Sequence, residues 1–201
     1  FKNDPYGRNL WGTPPQGCAD YAFQQHIQKS LDKENGRSIS LWPHGVLFRD
    51  SEAAMRQKMI EEDLVDCVIG LGPNLFYNSP MEACLLITTN KKPKYKKGKV
   101  LFINAVNEVR QDKTIGYLDN KHIERIFKAY QTFEVEENYS ALVSNELLLS
   151  KNFNMAINLY VRSETINSDS MINYTDAYEA WKDTSEQLKS SMNDLFCELE
   201  N

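Results

Sequence analysis

The residues best placed to do chemistry lie in the segment WPHGVLFR, residues 42–49. It follows a predicted strand and precedes a predicted helix, which in α/β proteins is where ligands bind. Gly45 permits a sharp turn, and His44 and Arg49 supply polar groups for the rim of a cleft. The alternative is a plain strand-to-helix connection in which the apolar residues 46–48 fill the core. The sequence alone leaves both interpretations open.

A second candidate is the loop GPNLFYNSP, residues 72–80, which carries two adjacent aromatic residues between apolar strands. An aromatic face beside a cleft is what a nucleobase flipped out of a duplex needs for stacking. Phe76 and Tyr77 are the residues that could supply it. The structural alternative has equal weight: one ring is buried in the core and the other is half exposed.

A third feature is the lysine-rich segment KKPKYKKGK, which has six lysines in residues 91–99. A solvated connection is the default interpretation of such a charge run, and lysines also guard strands against edge pairing. Contact with phosphate groups is the alternative.

Other chemistry is poorly supported by the sequence. The three histidines are scattered; His26 lies on an apolar helix face and is predicted to be a core residue, and His122 is predicted to be solvated without a role. The run from Gly70 to Asn74 lacks the third glycine of a nucleotide-binding loop and is predicted to be a turn. We therefore predict no catalytic residue and no metal ligand.

Composition places the chain among globular proteins of the cytoplasm. It has 201 residues, 41% hydrophobic and 25% charged, and no apolar run of membrane-spanning length or export leader. Its four cysteines form no CxxC pair, which favours a reduced protein without structural zinc. The net charge of −5 argues against binding nucleic acid over the whole surface. Because the chain opens without a methionine, we expect it to be a piece of a longer protein.

Hydrophobic periodicity predicts an α/β layered fold. A first helix begins near Ala19, a second runs from Ser51, its N-cap, to Asp63, and a third from Asp119 to Phe133. The predicted inward faces are Ala19, Ala22, Phe23, His26, Ile27 and Leu31 in the first helix, Ala54, Met55, Met59 and Ile60 in the second, and Ile123, Ile126, Phe127 and Tyr130 in the third.

Four short segments are predicted to be strands: 38–42, 65–71, 83–89 and 100–105. The last three are apolar on both faces, as central strands covered by helices are. The connection 90–99 is too short for a helical crossover, so the strands on either side of it are predicted to form an antiparallel hairpin.

The chain divides by composition into four predicted parts. Residues 1–17 form an entering loop, 18–135 the α/β portion, 136–172 an irregular stretch and 173–201 a helix. In that helix an apolar seam repeats at steps of four and three, which is typical of a coiled coil or of docking on a partner. A helix packed back on its own domain is the alternative. The seam residues are Tyr174, Tyr178, Trp181, Ser185, Leu188, Met192, Leu195 and Leu199.

These segments together resemble the modification subunit of type I restriction–modification systems, an adenine-N6 DNA methyltransferase. The stretches that carry the resemblance occur in the family's order between residue 10 and about residue 162. They are WGTPPQGCADYAFQQHIQKSL, GRSISLWPHGVLFR, EEDLVDCVIGLGPNLFYNSPMEACLLITTNK, GKVLFINA and SALVSNELLLSKNFNMAINLYV. Trp42, where the family has a small aliphatic residue, and Leu159 depart from its usual pattern.

The resemblance implies the downstream part of a Rossmann-like sheet whose enzyme uses S-adenosylmethionine, with a C-terminal helical extension. The family's glycine-rich cofactor motif and its Asn-Pro-Pro-Phe/Tyr catalytic loop are absent from this sequence, so no catalytic or cofactor residue is assigned and the fragment alone is expected to be inactive. Phe76, with Tyr77 as second choice, is the implied stacking partner of the flipped adenine. Asp20 and residues Pro43, His44 and Gly45 are implied to shape the pocket rim.

The implied partners are DNA, a specificity subunit that reads the target sequence and docks on the C-terminal helix, and a restriction subunit, without a membrane. Self-association could cover apolar surface that a partial sheet leaves exposed. The alternative function is a non-catalytic interaction or scaffold module derived from such a subunit. A direct binder of single-stranded nucleic acid through residues 91–99 is a third possibility.

Overall fold

The computed structural model describes residues 2–77, 79–112, 115–162 and 174–199. The chain divides into two compact units, Phe1–Ser163 and Glu164–Asn201. The first unit contains helices α1 (Asp20–Ser30), α2 (Ala53–Glu61), α3 (Asn120–Thr132) and α4 (Asn145–Ser150), and strands β1 (Arg37–Pro43), β2 (Val65–Leu71), β3 (Ala83–Thr89), β4 (Lys99–Ala105), β5 (Arg110–Asp112), β6 (Ile115–Tyr117) and β7 (Ser140–Ser144). The second contains α5 (Tyr174–Leu199). None of the helices in the described ranges is long and apolar enough to cross a membrane.

The main sheet has five strands in the order β1-β3-β2-β4-β7, and β5 pairs with β6 in a separate hairpin. β2 and β4 are parallel, whereas the other neighbours in the main sheet are antiparallel. The predicted β3–β4 hairpin is wrong, because β2 lies between these two strands and pairs with both. The lysine-rich connection therefore crosses the start of β2. The predicted strands themselves and the α/β class are confirmed.

Both faces of the sheet are covered, because β2 is buried along all seven of its residues. On one face Val68, Leu86 and Phe102 pack with residues of α1, α2 and α4; on the other Ile69 and Leu101 pack with α3. Residues 136–172, predicted to be irregular, contribute strand β7 and helix α4 within their described part.

Helix α1 is buried through a different face from the predicted one. Its buried residues are Tyr21, Gln24, Gln25 and Gln28, whereas Phe23 is 59% exposed and His26 is exposed, so the prediction of a core histidine is wrong. Hydrogen bonds explain this outcome. The Gln24 Oε1 atom accepts from the Ser40 hydroxyl at 2.9 Å and from the Trp42 indole at 3.0 Å. The Gln25 Oε1 atom accepts from the Trp11 backbone N–H at 2.6 Å.

Helix α2 begins later than predicted. A short 3₁₀ turn, Asp50–Glu52, precedes it, and Ser51 does not cap it. Met55, Met59 and Ile60 are buried as predicted, but Ala54 is exposed. The buried position taken instead is Arg56, whose guanidinium donates to the carbonyls of Arg49 at 2.7 Å, Phe153 at 3.2 Å and Val46 at 3.4 Å.

Helix α3 has its predicted limits, with Asp119 as N-cap and Phe133 as C-cap. His122, predicted to be solvated, is buried, and its Nδ1 atom accepts from the Asp119 backbone N–H at 3.2 Å in a capping box. Of the predicted inward residues, Ile126 and Tyr130 pack on the core, whereas Ile123 and Phe127 are 50% and 56% exposed. The small residue Ala129 is buried against the core, and the Tyr130 hydroxyl donates to Asp66 Oδ2 of β2 at 2.8 Å.

Candidate functional site

Three strands of the main sheet end side by side. β1 and β2 are each antiparallel to β3, and β2 is parallel to β4, so β1, β2 and β4 run in one direction. Their carboxyl ends meet at one end of the sheet, here called the carboxyl end. The segment 43–49 follows β1 there, and the loop 72–80 follows β2. The fold therefore brings both sequence-predicted candidate segments to the same end of the sheet.

The segment 43–49 forms a tight turn, with residues His44–Leu47 in a 3₁₀ helix. The Gly45 carbonyl accepts from the backbone N–H groups of Phe48 at 3.1 Å and Arg49 at 3.0 Å. Val46 and Leu47 are buried in the core, but Phe48 is 46% exposed. The core-filling interpretation thus holds for two of the three apolar residues of the turn, while His44 is partly buried beside them.

The imidazole of His44 has a fixed orientation. Its Nε2 atom lies 2.9 Å from the Ala83 carbonyl oxygen, and because a carbonyl only accepts, Nε2 carries the proton. The Nδ1 atom is then the unprotonated nitrogen in the neutral ring and lies 3.8 Å from Glu82 Oε2. His44 borders a cavity of about 220 Å³, which is also lined by Leu47, Phe48, Glu82, Asn104, Val106, Ala156, Ile157 and Asn158.

The loop 72–80 presents both aromatic rings to solvent. Leu75 packs against the core, whereas Phe76 is 36% exposed and Tyr77 is 96% exposed. The structural alternative of one buried ring is therefore wrong, because Leu75 takes the inward position. A groove of about 530 Å³ runs along the loop, lined by Asn74, Leu75, Phe76, Tyr77, Ser79, Pro80 and Ile115.

The β5–β6 hairpin supports this aromatic loop. The Gly116 backbone N–H donates to the Asn74 carbonyl at 2.8 Å, and the Gln111 amide donates to the Pro73 carbonyl at 3.4 Å. A Cβ at Gly116 would lie 2.8 Å from the Pro73 carbonyl oxygen, so the two backbones can approach this closely only at a glycine. Phe76 is thus displayed on a loop that is held by hydrogen bonds on the side of the hairpin.

Gly70, near the end of β2, and Gly72, just after the strand, do not form a phosphate-binding loop. A Cβ at Gly70 would lie 2.8 Å from Ile157 Cδ1, and one at Gly72 would lie 2.5 Å from the Val106 carbonyl oxygen. Protein atoms therefore occupy the space beside these two glycines that a bound phosphate would need. The turn predicted for Gly70–Asn74 is confirmed only at Pro73 and Asn74, because Gly70 and Leu71 belong to β2.

Asp20, predicted to lie on the rim, belongs to a cluster that the sequence did not predict. The Arg49 guanidinium donates to the Asp20 carboxylate and to the Cys18 sulfur, and its Nε atom lies 3.5 Å from Glu52 Oε2. Glu52 is fully buried, and the Cys18 thiol beside it favours its charged form. Burial raises the pKa of the Glu52 carboxyl, and the positive charge of Arg49 opposes that effect.

Cys18, Asp20 and Glu52 could supply three metal ligands, since their ligand atoms lie within 4.8 Å of one another. The Arg49 guanidinium contacts all three residues and supplies the positive charge of the cluster. The arrangement is therefore that of an ion-pair cluster around an arginine. In the sequence, the cluster is indicated only by the spacing of Arg49 and Glu52, which lie three residues apart just before a helix.

The lysine-rich connection lies at the opposite end of the sheet from the candidate site. Lys92 and Lys96 are buried, and they pair with Asp63 at 2.7 Å and Asp66 at 3.1 Å. Burial lowers the pKa of Lys92. The other four lysines of residues 91–99 are exposed. The predicted solvated connection is thus right for four lysines, and none of the six reaches the aromatic loop at the carboxyl end.

The family model described as N-6 DNA Methylase matches residues 1–169. The chain is 32% identical over 174 residues to the type I restriction enzyme MjaVIII methylase subunit of Methanocaldococcus jannaschii, an alignment that covers 85% of this chain and 29% of the relative. It is 27% identical over 193 residues to the MpnII methylase subunit of Mycoplasma pneumoniae, covering 93% of this chain and 35% of the relative.

Solved structures show the same similarity. The type I restriction–modification methyltransferase subunit from Streptococcus thermophilus superposes with a TM-score of 0.73 at 32% identity, covering 80% of this chain and 34% of that one. The EcoKI M protein superposes with a TM-score of 0.58 at 15% identity, which shows the shared fold. The chain spans about 29% of the length of the MjaVIII and MjaVII methylase subunits that it matches.

Proposed function

Because the chain belongs to the N-6 DNA methylase family, we propose that it forms the target-side part of an adenine-N6 DNA methyltransferase subunit of a type I restriction–modification system. In this proposal the complete subunit acts in the cytoplasm and transfers a methyl group from S-adenosylmethionine to N6 of an adenine in DNA. The residues of this chain bind the target base, and the methyl transfer itself requires residues that this chain lacks.

One observation carries the proposal: an exposed aromatic pair stands on a supported loop at the carboxyl end of the sheet. Phe76 offers part of its ring while its backbone is fixed, as a stacking platform for an extruded adenine requires. Stacking of a base on an aromatic ring contributes about 1–3 kcal/mol. Tyr77, which is far more exposed, is the second choice because less protein holds its ring in place.

The residues Pro43, His44, Gly45 and Asp20 form the rim in this proposal. His44 lies at the carboxyl end with one ring nitrogen fixed by the Ala83 carbonyl. Its other nitrogen can accept a hydrogen bond from a donor on the substrate while the ring is neutral. Asp20 reaches the rim only through Arg49, to which its carboxylate is bound.

S-adenosylmethionine supplies the methyl group of the proposed reaction. Gly70, in β2, and Gly72, just after it, are closed by protein atoms and do not form a cradle for this cofactor. We therefore assign no cofactor contact and no catalytic residue to this chain. On its own, the chain is expected to be inactive.

The test of this proposal is Phe76→Ala in the complete subunit assembled with its partners. We expect slower methylation at limiting DNA and unchanged binding of S-adenosylmethionine, because the variant removes a base contact and no cofactor contact. The loss should be about 10- to 100-fold in kcat/KM for DNA, from the stacking energy above. Phe127→Ala is the matched control, since Phe127 is an exposed ring on α3. Unchanged rates at both limiting and saturating DNA contradict the proposal.

The proposed partners of the complete subunit are DNA, a specificity subunit and a restriction subunit, with self-association as a further possibility. Helix α5 supports the second of these, because its apolar residues Tyr178, Trp181, Leu188 and Met192 are all exposed. They fall on one stripe of the helix, as the surface of a helix that docks on a partner does.

The same seam favours one alternative function, a non-catalytic interaction module derived from such a subunit. The two candidates differ in what the gene encodes upstream of residue 1. A glycine-rich cofactor motif and an Asn-Pro-Pro-Phe/Tyr loop in that coding sequence favour the methyltransferase. An open reading frame without them favours the interaction module.

A further inference from the structure

The Arg49 guanidinium packs directly on the turn that carries His44. A Cβ built on Gly45 would lie 2.5 Å from Arg49 Nε and 2.9 Å from its Nη2 atom. The guanidinium therefore fills the space that any larger residue at position 45 would need. Gly45 has an ordinary backbone conformation here, so the turn itself does not require glycine, but a side chain at this position would have to displace the guanidinium from Asp20 and Glu52.

The guanidinium is itself held by groups from two other segments. Asp20, at the first turn of α1, accepts from its Nη2 atom, and the buried Glu52, just before α2, lies 3.5 Å from its Nε atom. An arginine offers five donors in a rigid plane, so it can contact both carboxylates and the turn at once. Lysine has the same charge but no such plane.

The rest of the turn is fixed by its own buried contacts. The Val46 carbonyl accepts from the Tyr21 hydroxyl at 3.2 Å, and the Leu47 carbonyl accepts from the Met155 backbone N–H at 2.8 Å. These contacts hold the buried half of the turn. On the partly buried half, the Gly45 backbone packs on the guanidinium, so Arg49 supports the turn next to His44, whose ring also contacts the Ala83 carbonyl.

We propose that Arg49 is the positioning residue of the substrate rim, joining the start of α1 to the His44 turn through its contacts with Asp20, Glu52 and Gly45. This inference rests on the proposed function and deepens it. Asp20 then acts through Arg49 and does not touch the target base. The rim is a single unit whose geometry depends on the guanidinium plane as well as on its charge.

The experiment is a double-mutant cycle with Arg49→Lys and His44→Ala in the complete subunit with its partners. We expect Arg49→Lys alone to lower kcat/KM for DNA, by up to about 100-fold, the cost of displacing a positioned group by about 1 Å. In the His44→Ala background the same change should have little further effect, because the group that it positions is gone. Arg125→Lys is the matched control, since Arg125 also bridges two carboxylates, Glu108 and Glu136, but lies on α3.

A second readout does not depend on activity. Hydrogen exchange of the Phe48 and Arg49 amides, which both donate to Gly45, should accelerate in Arg49→Lys while exchange within β2 stays unchanged. Equal losses from Arg49→Lys in both backgrounds, or unchanged exchange in the turn, overturn the inference. If His44→Ala is fully active while Phe76→Ala is impaired, the proposed function stands and the inference fails. If Phe76→Ala is also fully active, the proposed function fails.

Discussion

At the residue scale, Glu52 shows how a site can hold charge against the cost of burial. Removing a carboxylate from water disfavours its charged form unless hydrogen bonds or a positive charge replace the lost hydration. The positive charge of Arg49, whose Nε atom lies 3.5 Å from Glu52 Oε2, and the neighbouring Cys18 thiol offset part of that cost for Glu52. The pKa of Glu52 is nevertheless raised, which means that burial outweighs the attraction.

We expect Glu52→Gln to change how stability depends on pH. With a raised pKa, the folded state binds the Glu52 proton more tightly than the unfolded state. Its contribution to stability is therefore fully present below the ordinary pKa of 4.5 and is lost as the pH rises through the raised value. The variant lacks this titration, so its free energy of unfolding relative to the wild type should rise across that window, by up to about 1.4 kcal/mol per pH unit.

Urea unfolding of wild type and variant, in steps from about pH 4 to about pH 7, measures this difference. Glu124→Gln, which removes an exposed carboxylate of α3, is the control and should leave the difference flat. A stability difference for Glu52→Gln that is constant over the whole range would show that the carboxyl titrates normally in the fold.

Residue types predicted which loops lie at the carboxyl end of the sheet, but not the buried partners of those loops. Glycine, histidine and two aromatics in loops marked the carboxyl end correctly, because loops after parallel strands collect there. The inward glutamines of α1 could not be predicted, since their burial depends on Ser40, Trp42 and Trp11, which other segments supply. A hydropathy pattern assigns such polar residues to the surface. The same pattern predicts that His26 points inward, because its spacing matches that of the apolar residues of the helix.

At the element scale, the bounds of strands and helices could be predicted better than their order. Continuous apolar runs gave β2, β3 and β4 almost to the residue, because strands covered on both faces leave no polar position. The short connection between β3 and β4 gives no indication that β2 lies between these two strands in the sheet. What permits this crossing is a pair of buried lysine–aspartate contacts, and those residues resemble an ordinary solvated loop in sequence.

Lys96 should be a main support of this crossing. Its ammonium group lies 3.1 Å from Asp66 Oδ2 and packs over the rings of Tyr130 and Phe133. We expect Lys96→Met to destabilise the fold by about 3–5 kcal/mol, because it leaves the Asp66 carboxylate buried without its cation. Chemical denaturation measures the loss.

Adding Asp66→Asn to Lys96→Met should restore much of that stability, since no unpaired charge then remains. Lys94→Met is the control on the same connection, because Lys94 is exposed and should change stability by less than about 0.5 kcal/mol. Equal effects of Lys94→Met and Lys96→Met would mean that the buried pair does not hold the crossing.

At the scale of the whole molecule, the chain leaves apolar surface uncovered in each of its two units. In the first unit β1 is an edge strand, and its Ile39 and Leu41 are 68% and 45% exposed. They pair with Ile87 and Leu85, so they share the face that α3 covers further along the sheet. Such surface is what the proposed self-association would bury. In the second unit four seam residues of α5 are exposed, namely Tyr178, Trp181, Leu188 and Met192, whereas the side chains of Tyr174, Leu195 and Leu199 lie outside the described residues.

The seam of α5 gives the sharpest test of the proposed specificity-subunit contact. Trp181 and Leu188 lie on one stripe of the helix, and they are 64% and 63% exposed. A carboxylate at either position would have to be desolvated in an apolar interface, so Trp181→Glu and Leu188→Glu should each abolish co-purification of the complete subunit with its specificity subunit. Ser190→Glu adds the same charge on the opposite side of the helix and should leave the complex intact.

Because Trp181 and Leu188 are exposed within this chain, the folded subunit should tolerate both glutamates, and its thermal midpoint provides that check. A complex that survives both seam substitutions would assign α5 to a different role, whereas loss of the complex only in the two seam variants would place the partner on this stripe.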